Sequence, residues 1–254
     1  MRPVHFIFAA LATVMLSTPL TAFAECNTML MTGVTSRYVL GDFALVGSNQ
    51  PGFVSDLALT CPGIFGGTFT VDWWQRVDLS TKGPYGNRSY GDEHDATLTG
   101  NWSAGAYDLE LSAAYFAVKP LGQLRDDVIQ LYADMGRRFD LGFAKAKLAF
   151  RPTQYLGISS FPAHTVLRVR APVVFSLEGL PLANVDLRLE PAASYDFNPV
   201  GAQARLSLRP EAALGWQVND SWRLQLVGKA VYQAIGSLKR FEEQVEIVSV
   251  FKLN

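Results

Sequence analysis

The segment YDLELSAAYFAV, residues 107–118, decides the fold. Taking every second residue gives Tyr107, Leu109, Leu111, Ala113, Tyr115 and Ala117, whereas the alternate set opens Asp108, Glu110, Ser112, Ala114. A period of two places the two sets on opposite faces of a β-strand. One face is apolar with a tyrosine near each end, and the other begins with two carboxylates. The apolar face either packs on a protein core or touches lipid.

The same alternation recurs along the chain. It predicts strands at 28–40, 53–61, 67–79, 95–103, 106–118, 127–136, 142–151, 164–175, 184–195, 202–215, 221–234 and 243–253. One parity holds sets such as Ala144, Ala146, Leu148, Phe150 and Leu167, Val169, Ala171, Val173, Phe175. The opposite parity holds charge, with Trp74 among it. No helical periodicity of useful length competes; Leu124 to Arg138 alternates at least as well as it follows a 3.6-residue period, and Gly122 and Gly136 disfavour a helix there.

Aromatic placement separates lipid from core. Trp102 and Tyr107 flank a predicted turn at 104–105, and Trp216 and Trp222 flank another at 216–220. On single strands, Tyr107 matches Tyr115 and Trp222 matches Tyr232 on the apolar parity. At about 3.3 Å per residue and a tilt near 40°, eight to ten residues rise roughly 20–25 Å, the height of a membrane barrel's apolar band. Aromatics at both rims of that band are interface anchors. A soluble sandwich gives no reason for rim placement. The expected fold is therefore all-β: a closed antiparallel transmembrane barrel of about twelve strands, with ten or fourteen as near alternatives. The apolar set of the opening segment then faces lipid, and Asp108 and Glu110 face the lumen.

The ends agree with export. Arg2 is the only charged residue before Glu25, an apolar run spans Phe6 to Leu16, and Ala22-Phe23-Ala24 follows. That order is a secretory signal over residues 1–24, leaving one barrel domain over 25–254 in the outer membrane. Removing Arg2 leaves 21 basic against 23 acidic residues, a formal charge of −2. Such a chain, without a basic tract, excludes nucleic acid as a partner. Expected partners are outer-membrane lipid, lipopolysaccharide and small polar solutes; the oligomeric state is not legible. Cys26 and Cys61 lie near the open end of a predicted hairpin, where a bridge is feasible, although two unpaired thiols fit the sequence equally well.

Several stretches resemble the TorF-type porins of bacterial outer membranes. They are VTSRYVLGDFALVGSNQPGFVSDLAL, GIFGGTFTVDWWQRVD, GAYDLELSAAYFAVKP and DVIQLYADMGRRFDLGFAKAKLAFRPTQYLG, within Gly33 to Gly157. The resemblance implies an outer-membrane barrel and a pore, and supplies no catalytic residues. The end differs from such barrels, which close on an aromatic: here Phe251 is followed by Lys252, Leu253 and Asn254.

The inward parity predicts an acidic wall of Asp56, Asp72, Asp78, Asp108, Glu110 and Asp134, against Arg76. A basic wall of Lys145, Lys147, Arg151, Arg168, Arg170, Arg205, Arg209, Arg223 and Lys229 faces it, offset by Glu211. A lumen narrower than a sixteen-strand porin's, with opposed signs, would pass small polar, ionic or zwitterionic solutes by diffusion. Salt bridges that plug the lumen are the competing reading, which would make the protein a non-conducting structural or adhesive barrel. A lipid-modifying enzyme is weaker still. Beyond the signal only His94 and His164 remain, and neither sits in a barrel-hydrolase motif. Asp92, Glu93 and Asp95 read as a solvated acidic loop rather than a Ca²⁺ site. No cofactor, metal site or catalytic residue is expected.

Overall fold

The computed structural model describes residues 26–40, 45–48, 50–79, 93–117, 127–157, 163–177, 184–197, 205–235 and 241–253. The expected signal segment 1–24, Asp92 and much of the chain between the predicted strands, such as residues 80–92, 119–126 and 178–183, lie outside the described residues.

Alternating sequence produces strands throughout. They are β1 (Asn27–Thr35), β2 (Tyr38–Leu40), β3 (Leu45–Ser48), β4 (Gly52–Pro62), β5 (Thr68–Asp78), β6 (Glu93–Ala104), β7 (Tyr107–Ala117), β8 (Val128–Asp140) and β9 (Ala144–Gly157). Then follow β10 (His164–Arg170), β11 (Val173–Ser176), β12 (Val185–Glu190), β13 (Ala192–Asp196), β14 (Arg205–Leu208), β15 (Glu211–Asn219), β16 (Trp222–Ile235) and β17 (Phe241–Lys252). Three staves are interrupted once each, so β10–β11, β12–β13 and β14–β15 each cross the wall as one. With the β2–β3 hairpin set apart, twelve antiparallel staves remain. β1 pairs with both β4 and β17, which closes the ring. Closure removes the unpaired strand edges that lipid would penalise.

The interruptions fall at Pro172, Pro191 and Pro210 on neighbouring staves. A proline cannot donate to the ladder. Each pair keeps its reciprocal bond: the amides of Lys147, Ala171 and Ala230 donate to the carbonyls of Pro172, Pro191 and Pro210 at 2.9, 3.0 and 3.0 Å. Register survives the gap. Val169 faces Phe150 and Val173 faces Ala146, the same offset on both sides.

Register fixes the two faces, because directly paired residues share one. Leu57, Trp73, Leu98, Ala113, Leu131, Leu148, Leu189, Leu214, Leu226 and Ile247 point outward. Many large apolar side chains on this face are exposed, in a belt around the whole barrel. A belt of that extent belongs in lipid, and the protein is an outer-membrane barrel. Inside, Val128, Tyr155 and Val166 form a small apolar cluster with Phe116 beside it.

Several expected boundaries move. The strand predicted at 28–40 stops at Thr35, and the chain turns into the β2–β3 hairpin. The strand predicted at 127–136 runs on to Asp140, and the turn before the next strand shrinks to 141–143, where Gly142 takes φ 79°. Pro152 does not end its strand. It faces outward, and β9 pairs with β8 at one offset on both sides of it, at Met135–Phe150 and Tyr132–Thr153. Glu93 and Asp95 are not a solvated loop either: they sit inside β6 on its inward face, almost fully buried. Starting β6 two residues before the predicted strand carries Glu93 into the barrel and sets Asp95, that strand's first residue, well inside it.

Cys26 and Cys61 are joined by a disulfide, with Cα atoms 4.2 Å apart. It ties the chain just before β1 to the end of β4.

Candidate functional site

The lumen is built from the inward parity of every stave. Asp134, fully buried, is its most connected group. It accepts from Arg151 Nε and Arg170 Nε at 2.9 Å each and lies 3.3 Å from Lys147 Nζ. Glu110 takes Arg151 at 3.1 Å and the Tyr132 hydroxyl at 2.7 Å. Asp108 answers Lys147 at 3.6 Å and Arg138 at 3.4 Å. The network continues to Glu190, which holds Arg170 at 3.4 Å and also binds Arg188. Further round, Arg223 pairs with Asp186 at 2.8 Å and Lys229 with Glu246 at 3.1 Å.

These pairs run sideways along the wall. Neighbouring strands lie about 4.8 Å apart, within easy reach of a charged side chain, whereas the far wall of such a barrel is not. Asp108, Glu110 and Asp134 are therefore spent on bases one or two strands along the same wall rather than across the lumen.

Five further inward acids, Asp56, Asp72, Asp78, Glu93 and Asp95, occupy β4, β5 and β6, while Asp196 and Glu211 project inward from β13 and β15 among the bases. Register sets Asp56, Trp74 and Asp95 in one inward row, and Ala58, Asp72 and Thr97 in the next. Among the described residues no base pairs with Asp56 or Asp72. Arg76 binds Asp78 and donates to the Gln50 carbonyl at 2.7 Å. Lys145, Arg168, Arg205 and Arg209 also project inward, on β9, β10, β14 and the link between β14 and β15.

Three inward glycines decide how the bases lie. A Cβ at Gly52, Gly136 or Gly215 would overlap Arg76, Lys147 or Arg223 respectively. In each case the base stands two residues before the glycine's cross-strand partner, which is Asp78, Ala149 or Gln225. The missing side chain lets a long cation lie flat against the wall, where it meets its carboxylate. Gly136→Val is therefore expected to lift Lys147 into the lumen and separate it from Asp108 and Asp134. A lower single-channel conductance at unchanged fold would show it, and an unchanged conductance would contradict it.

The hairpin after β1 turns inward. Arg37 meets Glu242 at 3.2 Å, and the Val39 amide donates to Gln244 Oε1 at 2.8 Å. These contacts hold Tyr38 against the opposite side, its ring 5.9 Å from that of Trp74 with Arg76 over its face at 5.3 Å. Burial, then the Glu93 and Asp95 carboxylates, push the Tyr38 hydroxyl well above its ordinary range, so it stays protonated and donates to Glu93. Between this hairpin and the far wall lies a cavity of about 440 Å³.

The rim aromatics face outward. Tyr107 and Trp216 are exposed at the short-turn end, where Trp102 pairs with Leu109 and Trp222 stacks on Phe251 at 6.1 Å. At the opposite end stand Tyr232 and Tyr115, whose hydroxyl binds Asp127. The two histidines lie on opposite faces of the wall. His94 pairs with outward Gln75 and Ala117, while His164 points inward and stacks on Tyr155 at 4.6 Å.

Sequence reading did not foresee the hairpin plug, the glycine–base diagonals or the hub at Asp134. Trp74 carried the one available signal, since a tryptophan on a charged parity requires a packing partner inside.

No protein-family model matches the chain, and no curated protein matches it in sequence. Solved structures do. The COG4313 outer membrane channel from Pseudomonas putida F1 aligns with a TM-score of 0.58 at 10% identity, over 93% of this chain and 99% of that one. A bacterial polysaccharide outer membrane secretin aligns with a TM-score of 0.54 at 9% identity, over 91% and 99%. At such identities the likeness is one of fold, that of outer-membrane β-barrels.

Proposed function

We propose that the protein is a porin-like channel through which small polar, ionic or zwitterionic solutes cross the outer membrane by passive diffusion, with lipid and lipopolysaccharide around it. The observation that carries this reading is a closed barrel whose inward parity carries most of the charged side chains of the wall, with a cavity remaining beside the inward hairpin. A barrel that served only as an anchor would have no use for so many desolvated charges inside, each costly to bury. The fold shared with a known outer-membrane channel and the stretches resembling TorF-type porins support the same reading.

The charge layout supports a specific mechanism. Among the described residues, Asp56 and Asp72 on β4 and β5 have no basic partner, and cations gather on β9, β10 and the β14–β15 link, so the two sides differ in sign. A dipolar solute would orient between them, while net ion selectivity stays weak. Single-channel recording on refolded protein with a short solute panel tests the channel. Neutralising Lys145, Lys147, Arg168 and Arg170 together should shift the reversal potential toward cations under a salt gradient. The hairpin contact between Tyr38 and Trp74 favours a second reading, a sealed structural barrel. Absence of conductance in the parent protein would support that reading and overturn the channel.

A further inference from the structure

A polar row crosses the lipid-facing side of the barrel. Register pairs Ser249 with Thr32, Thr32 with Ser55, Ser55 with Gln75 and Gln75 with His94, all outward, on β17, β1, β4, β5 and β6. Four steps of about 4.8 Å make the row roughly 19 Å wide. The outward rows beside it are apolar, with Ile247, Val34, Phe53 and Val77 on one side and Leu30, Leu57 and Trp73 on the other. Elsewhere in the belt a row reads Phe139, Ala146, Val173, Leu189, Ala212. Gln154 and Thr165, also outward, satisfy one another at 2.7 Å.

Lipid tails cannot answer the row. They offer neither donor nor acceptor, and a polar group left among them without a partner is destabilising. Gln75 Nε2 donates to Ser55 Oγ at 2.9 Å, which spends one N–H of the amide. The amide oxygen of Gln75 and the hydroxyls of Thr32 and Ser249 bond nothing among the described residues. Lipid headgroups reach only the rim, where His94 stands second in β6, whereas Thr32 is sixth of the nine residues of β1.

We propose that this row is the contact surface for a second copy of the chain, paired about a two-fold axis along the membrane normal. Such a contact needs a surface complementary to itself. Hydroxyl, carboxamide and imidazole each donate and accept, and the row carries no like charge to repel its counterpart. Barrel strands tilt by about 35–45°, so the row runs obliquely and two facing rows cross rather than lie side by side. Contact therefore centres on Ser55, with Thr32 and Gln75 beside it. The small side chains let the two walls approach, and Gln75 is long enough to meet its own counterpart across the axis. Above and below the crossing, Val34, Phe53, Leu57, Trp73, Val77 and Ile247 are 39–50% exposed. They offer on the order of 500 Å² per copy, so that a pair reaches about the 1,000 Å² of a specific interface before the row itself is counted. The pairing concerns assembly and does not depend on whether the lumen conducts.

The test uses refolded full-length protein in lipid vesicles. Its two cysteines are bridged to each other, so an introduced thiol is the free one. Ser55→Cys is expected to give a disulfide-linked dimer on oxidation with iodine, which enters lipid. Leu131→Cys and Leu214→Cys, exposed on other parts of the belt, should stay monomeric. Added to Ser55→Cys, Gln75→Leu should raise the protein-to-lipid ratio for half cross-linking by about tenfold, since each pair loses both amides. Leucine suits lipid, so this change should not cost folding, and heat-modifiable migration on gels verifies it for every variant. Cross-linking at Ser55 that exceeds the other two positions and falls with Gln75→Leu upholds the pairing. No dimer at any ratio, equal cross-linking at all three positions, or a Gln75→Leu variant that cross-links like its parent would each overturn it.

Discussion

Asp134→Asn is expected to destabilise the barrel by about 3 kcal/mol, the low end of the cost of breaking a buried ion pair because the bases remain partly wetted. Asparagine keeps the shape and loses the charge. Arg151, Arg170 and Lys147 converge on that carboxylate from two neighbouring staves, so its loss leaves three cations confronting one another. Glu110 and Asp108 can still answer Arg151 and Lys147, and Glu190 can answer Arg170, which keeps the cost from rising further. The lumen also gains one net positive charge, so the reversal potential should move toward anions. Urea titration of protein folded in lipid vesicles measures the first effect, and bilayer recording measures the second. A change in stability below about 0.5 kcal/mol, the usual size for an inconsequential surface substitution, would show that Asp134 is not the hub its contacts describe.

The same residue shows what sequence can and cannot reveal. Asp134 was legible as inward because β8 alternates cleanly, and so were the bases on β9 and β10. Parity is a local property of one strand. The partner of an inward charge depends on which residue of the next strand stands beside it, and that offset is set by ring closure and loop length rather than by alternation. For this reason the charges could be assigned to the lumen while their pairing was expected across it. Gly136 illustrates the point further. Within the sequence it is only a poor helix former, and its use as a bed for Lys147 exists only once β8 and β9 are in register.

The proline breaks and the hairpin were hidden for different reasons. Pro172, Pro191 and Pro210 leave the inside–outside alternation intact, so a reading by period runs straight through them. The hairpin is the reverse case. Tyr38-Val39-Leu40 continues the strand-like composition of β1, and nothing local announces that the chain leaves the wall after Thr35. What holds it inside comes from the far end of the chain, at Glu242 and Gln244. Contacts over such sequence distances are invisible to pattern reading, whereas the twelve staves follow from local alternation and the requirement to close.

Leu148→Arg should cost about 2–4 kcal/mol on folding into a bilayer, the depth-dependent penalty for a cation on the lipid face near mid-membrane. Leu148 is 53% exposed and Leu111 45%, on strands whose opposite parity carries the lumen charges, so neither has a protein core to leave. In water such exposure would make the substitution nearly neutral. In lipid the guanidinium must either lose its hydration or bend toward the headgroups, and both cost free energy. Leu111→Arg should behave alike, since it too stands exposed on the outward face, on β7. Lys145→Gln supplies the control: it lies on the inward face of the same strand as Leu148, is exposed, and forms no ion pair among the described residues. Its change should stay within about 0.5 kcal/mol. The comparison is best made by urea titration in vesicles and repeated for secreted, unfolded protein bound to detergent, which removes any effect on the denatured chain. If Leu148→Arg and Lys145→Gln are tolerated equally, the apolar belt does not face lipid and the two sides of the wall have been interchanged.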